Sequence, residues 1–207
     1  MDITGTRLSD LSALSHDENL RELGIGGAQI SGLGKLATLK NLKTLRIIEQ
    51  ANIDLAPVGT LTNLEYLWIW GPPQFNASPL RNLTKLRELS LTGIGFGGLS
   101  ATKDIEVVGD LRELRKLTLG FLQVSDVTFV SNLKNLSEVN IDALPISSVA
   151  PLRGLTSLRS VSLVQIPVVD ISPLLDLPVL TNLTVIRTPA RADVLTELER
   201  RSVKIVR

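Results

Sequence analysis

Covalent chemistry needs a nucleophile beside a base, a set of metal ligands, or a backbone cradle for phosphate, and this sequence supplies none of the three. Its 207 residues include no cysteine, which removes thiolate catalysis, thiolate metal sites and disulfides together. The sole histidine, His16, has no serine partner in the pattern and is expected in a surface or turn role. The glycine-rich run from Gly93 to Gly98 resembles a phosphate loop only in composition, because no Gly-Lys-Ser/Thr follows it. Asp10, Asp54, Asp126 and Asp170 recur in phase and would suit a calcium ladder, yet Gly32, Asn76, Gly98 and Ser148 hold the same phase. Turn and helix-capping chemistry accounts for all of them. No catalytic residue, metal ligand or cofactor is assigned.

What the sequence offers is non-covalent. Tyr66, Trp68 and Trp70 are the only tyrosine and both tryptophans of a chain that is 3% aromatic, and they occupy alternate positions of one short stretch. Alternation is the period of a strand, so all three side chains point the same way. Trp and Tyr dominate binding hot spots, and an exposed cluster of them marks an interaction site.

A repeating unit of 22 residues must position these side chains. The pattern Leu-x-x-Leu-x-Leu begins at Leu20, Leu42, Leu64, Leu86, Leu114, Leu136, Leu158 and Leu180, with one step of 28 residues after Leu86. The first, fourth and sixth places of every unit hold Leu, Ile or Val. Such self-similarity predicts a solenoid, in which each unit buries its apolar face against its neighbours. Places three to seven alternate as a strand, while Ile146, Val149, Leu152 and Leu155, three apart, predict a 3₁₀ return. Pro57, Pro79, Pro151 and Pro173 fall in the first turn of such returns, where a missing N–H is no loss. The expected fold class is therefore α/β: a parallel sheet on a concave face and short 3₁₀ or helical returns on a convex one.

Stacking aligns equal phases into rows across the sheet. Arg46 and Ile48 then flank Trp68 and Trp70, Glu88 lies beside Tyr66, and Phe121 extends the patch at the lip. These seven residues form the expected partner-binding set, for a protein or peptide on the concave face. The competing reading has the tryptophans merely shielding the sheet. Glu88 and Glu138 share a row with Lys116 between them, which is an alternating charged surface rather than an acid–base pair. Arg21, Lys43, Arg87, Arg115 and Arg159, at the second place, line one rim as solvated cations or as a contact for an acidic partner or phosphates.

Composition narrows the class further. With 43% hydrophobic and 21% charged residues and a formal net charge of +1, the chain lacks the basic excess that nucleic-acid binding requires. No apolar run approaches the 18 residues of a membrane span. Residues Met1 to Asp10 lack a signal-peptide profile, and a cytoplasmic location is expected.

On these motifs the chain resembles leucine-rich-repeat proteins of the short, 22-residue type and is similar to internalin-like arrays over residues 3–187. It departs from that family at the ninth place, usually Asn, which here holds Ala28, Gln50, Pro72, Ile94, Leu122, Leu144, Ile166 and Thr188. Apolar packing is expected to replace the buried Asn ladder there. Counting back from Leu20, the chain enters in mid-repeat, so residues 1–19 read as a partial unit with more protein upstream. Residues 20–187 are the repeats, and 188–207 a C-terminal cap with a helix over Ala192–Arg201 and a last strand after it. The 28-residue unit is expected to carry a longer convex helix capped near Thr102. The mid-repeat start, the Asp-Leu-Ser-Pro-Leu style of return and the Ser-Val-Lys-Ile-Val-Arg ending resemble the C-terminal repeats of bacterial NACHT-type signalling ATPases. That resemblance implies ligand sensing within a larger signalling or defence protein. An internalin-like surface adhesin and a freestanding intracellular regulator are the alternatives.

Overall fold

A computed structural model describes residues 11–14, 17, 19–26, 32–48, 53–94 and 98–207. His16, Ala28, Gln50 and the residues before Leu11 lie outside the described residues, as does part of the glycine run. The periodic strands form as the phase count requires. Glu22–Gly26 (β1), Thr44–Ile48 (β2) and Tyr66–Trp70 (β3) occupy places three to seven of their units. After the short strand Gln74–Asn76 (β4), Glu88–Thr92 (β5) repeats the placement. Ala101–Lys103 (β6) is again short, and Lys116–Gly120 (β7), Glu138–Asp142 (β8), Ser160–Val164 (β9) and Asn182–Ile186 (β10) complete the series.

These strands pair in parallel in the order β1-β2-β3-β5-β7-β8-β9-β10, and Lys204–Val206 (β11) adds a ninth. The register is continuous: Thr44 faces Tyr66, Tyr66 faces Glu88, Glu88 faces Lys116 and Lys116 faces Glu138. Rows of equal phase are thus physical rows across the sheet. Beneath them the first-, fourth- and sixth-place aliphatics stack into a ladder, with Leu64, Leu67, Leu86, Leu89, Leu114 and Leu117 at zero exposure. Each fully buried Leu contributes about 2 kcal/mol of transfer free energy.

The returns are 3₁₀ turns, for example Ser78–Asn82, Thr128–Asn132 and Ser172–Asp176. Side chains at the thirteenth place start them by accepting an N–H two residues on: Asp54 from Ala56, Asn76 from Ser78, Asp126 from Thr128, Ser148 from Ala150 and Asp170 from Ser172, all at 2.8–3.0 Å. The expected capping role of these residues is observed. A helix Ala192–Arg200 (α1) buries Val194, Leu195 and Leu198, and β11 joins β10 behind it. Among the described residues no helix is long and apolar enough to cross a membrane.

The irregular unit departs from expectation in three linked ways. Residues 101–103 form β6, which pairs in parallel with β4 as a second, two-stranded sheet, and the return Ile105–Asp110 is another short 3₁₀ turn, so no longer helix starts at Thr102. The residue that precedes the return is Asp104, in the left-handed region at φ 55° and without a side-chain cap hydrogen bond, instead of Gly98. The ninth place belongs to Ser100, which is buried and bridges Leu122, whereas Ile94 is 38% exposed. Elsewhere the ninth place is filled inward by Leu122, Leu144 and Ile166, as the apolar substitution requires. The physical reason is a single one. The chain leaves the sheet after Gly93 and rejoins it at Ser100, whose N–H donates to the Phe121 carbonyl at 2.8 Å and whose Oγ accepts the Ile94 N–H at 3.3 Å. The extra residues are 94 to 99, and every later residue of the unit moves six places on.

Candidate partner-binding face

Strand β3 carries Tyr66, Trp68 and Trp70 on its solvent side because Leu67 and Ile69 between them fill the core. The two indoles differ in how they are held. The Trp68 indole Nε1 donates to Glu88 Oε1 at 2.9 Å, Tyr66 stacks against it with centroids 6.0 Å apart and planes 16° apart, and the Arg46 guanidinium lies 4.7 Å from its ring centre. Trp68 is a braced platform between a cation on β2 and a carboxylate on β5. Trp70 is 42% exposed, and among the described residues its indole has no ring or hydrogen-bond partner. It faces Ile48 on β2 and Thr92 on β5.

All seven residues selected from the sequence are present on this face or its lip. Arg46 is exposed; Ile48, Tyr66, Trp68, Glu88 and Phe121 are half-buried. Phe121 follows β7 at φ 53°, and its backbone N–H donates to the Asp142 carbonyl at 2.9 Å. Thr44, which precedes Tyr66 in the same row, is buried and adds nothing to the patch. Ile94 is the lip residue that sequence phasing missed. Counting backward from Leu114, rather than forward from Leu86, gives Ser100 the ninth place and leaves Ile94 outside.

Beyond the aromatics the face turns polar. Lys116 pairs with Glu138 at 3.2 Å, and Asn140 donates to both Glu138 and Thr118. Asp142 is the exception to this satisfaction. Its Oδ1 is enclosed without a hydrogen-bond partner, and burial pushes its carboxyl above the ordinary range. Its row neighbours are Gly120 and Val164, neither of which has a side-chain donor.

The basic rim is interrupted. Lys43 donates to Glu65 at 2.8 Å, with Arg87 3.9 Å from the same carboxylate, and this hydrogen bond from Lys43 holds the Glu65 carboxyl below its ordinary range. No cluster of three or more potential metal ligands occurs among the described residues.

Comparison with solved structures decides the architecture. An internalin of Listeria monocytogenes, inlF, superposes with a TM-score of 0.70 at 22% identity, covering 96% of this chain and 66% of its own. The fold is a leucine-rich-repeat solenoid. A second Listeria monocytogenes internalin, inlC2, matches with a TM-score of 0.68 at 26% identity over 84% of this chain and 73% of that one. A plant peptide hormone receptor, RGFR1, in complex with RGF2, matches with a TM-score of 0.65 at 17% identity, and the solenoid here spans 32% of that receptor. No family model matches the solenoid, and no curated protein matches it in sequence.

Proposed function

We propose that this solenoid is a recognition module that binds a protein or peptide through the outward side of β2, β3 and β5. The observation that carries this reading is Trp70: a large apolar side chain, unpartnered among the described residues and 42% exposed, beside a second indole already fixed in place. Rigid aromatic anchors of this kind give contact area at low entropic cost and supply hot-spot energy. The pairing of Trp68 with Glu88 and Arg46 supports the same reading, since a pre-organised platform loses little freedom on binding. Other proteins of this fold include a receptor bound to RGF2, which supports a peptide as ligand.

In the finer form of the proposal the module senses its ligand on behalf of a larger cytoplasmic signalling or defence protein of the NACHT type. The sequence features of the returns and the last strand support that form. The likeness of fold to two internalins supports the adhesin alternative. The test is affinity capture with the purified chain and its Trp70→Ala variant side by side. A partner retained by the first and lost by the second, with circular dichroism unchanged, is the expected result; equal retention would move the binding face elsewhere.

A further inference from the structure

The apolar residues of the face are not centred on the sheet. Ile48 and Trp70 end β2 and β3, Ile94 lies two residues past the end of β5, and Phe121 one residue past the end of β7. All four therefore line one lip, where the strands end. Neighbouring strands are about 4.8 Å apart, so from β2 to β7 the line runs roughly 15 Å, the reach of about five extended residues. Of the large hydrophobics exposed among the described residues, Trp70 and Ile94 fall within this line, the first at the end of β3 and the second just beyond the adjacent strand β5. Ile94 is there because the chain leaves the sheet at Gly93. A methyl at Gly93 would lie 2.3 Å from the Phe121 carbonyl oxygen, so the chain just before Ile94 is held under tight constraint.

Charge supplies the second half of the argument. Arg46 is exposed, its guanidinium 4.7 Å over the Trp68 ring centre, and it is set one alternation inward from Ile48 on β2. Its neighbour in register on β1 is Gly24, which offers no side chain. The other cation nearest in the sheet rows, Lys116, is occupied by Glu138. A guanidinium placed over an aromatic face still has N–H groups to offer a carboxylate.

We infer that the partner is an extended peptide segment lying along this lip, with apolar side chains against Ile48, Trp70 and Ile94 and an acidic side chain on Arg46. The inference rests on the recognition face proposed above and adds to it the ligand chemistry and the participation of Ile94. It requires a ligand with a carboxylate close to one or two large apolar residues, in a chain unencumbered by helix.

A random dodecapeptide library displayed against the intact chain tests this. Enriched peptides are expected to combine an Asp or Glu with a large apolar residue within about three positions. The best of them, made synthetically, is expected to lose roughly tenfold in affinity with Arg46→Met, about 1.4 kcal/mol. Roughly fivefold is expected to go with Ile94→Ser, and the Arg46 contribution is expected to shrink with added salt. No enrichment, enrichment without acidic residues, or affinities unchanged in both variants would overturn the inference. Binding that depends on Trp70 but not on Arg46 or Ile94 would leave the recognition face standing and remove this ligand. Binding indifferent to all three would remove both.

Discussion

Gly93→Ala is the sharpest probe of how the irregular unit is built. A Cβ at Gly93 would lie 2.3 Å from the Phe121 carbonyl oxygen, 2.3 Å from Ser100 Oγ and 2.8 Å from Ser100 Cβ. The first of these is backbone and cannot rotate away. The Phe121 carbonyl accepts from Ser100, and the Gly93 N–H donates to the Gly120 carbonyl, both at 2.8 Å. Relieving the clash means separating β5 from β7 at their ends and weakening both bonds. Two buried hydrogen bonds at about 1 kcal/mol each, with about 1 kcal/mol of residual overpacking, give roughly 3 kcal/mol of destabilisation. For a chain of this size that lowers Tm by roughly 6–12 °C. Gly34→Ala is the control, since nothing lies within 4 Å of its added methyl, and it is expected to be neutral or slightly stabilising. Urea denaturation followed by circular dichroism reads both. A loss below about 0.5 kcal/mol for Gly93→Ala would mean that the chain does not rejoin the sheet at Ser100 as described.

The two tryptophans are expected to separate by stability: Trp68→Ala should cost about 2 kcal/mol more than Trp70→Ala in urea denaturation, from the lost Glu88 hydrogen bond and the Arg46 and Tyr66 ring contacts. Equal costs would show that the bracing of Trp68 is idle. Asp142→Asn is expected to raise Tm at pH 7 and to flatten its pH dependence. With the folded carboxyl pushed up by burial, the native state binds more protons than the unfolded one between the ordinary Asp value and the raised one, so the wild type loses stability as pH rises through that window. Thermal melts from pH 4 to pH 7 check the sign, and a wild type that instead gains stability across that window relative to the variant would refute it.

The strands and their rows were legible because a side-chain period of two inside a unit of fixed length leaves no freedom: once Leu64 holds the first place, Tyr66, Trp68 and Trp70 must face out. The last helix was equally legible, from the amphipathic run that became α1. The irregular unit was not, because its length reveals that six residues are extra but not where they lie. Carrying the phase forward from Leu86 placed Ile94 inward and gave Gly98 the turn role, whereas the hydrogen bonds of Ser100 and the conformation of Asp104 put the excess between Gly93 and Ser100. Nor did the pattern distinguish Trp68 from Trp70. Their difference arises from Glu88 and Arg46 reaching across strands, a matter of side-chain length and direction that phase alone does not encode.

The departure and return of the chain between Gly93 and Ser100 separates two properties that are usually entangled. β5 and β7 keep the same register as every other pair, so the detour leaves the spine unaware of it. Mutation can lengthen, shorten or recolour that excursion while the leucine ladder goes on stacking, which makes it a place where a rigid body can acquire new tastes. A protein so arranged can drift in what it recognises without renegotiating how it folds.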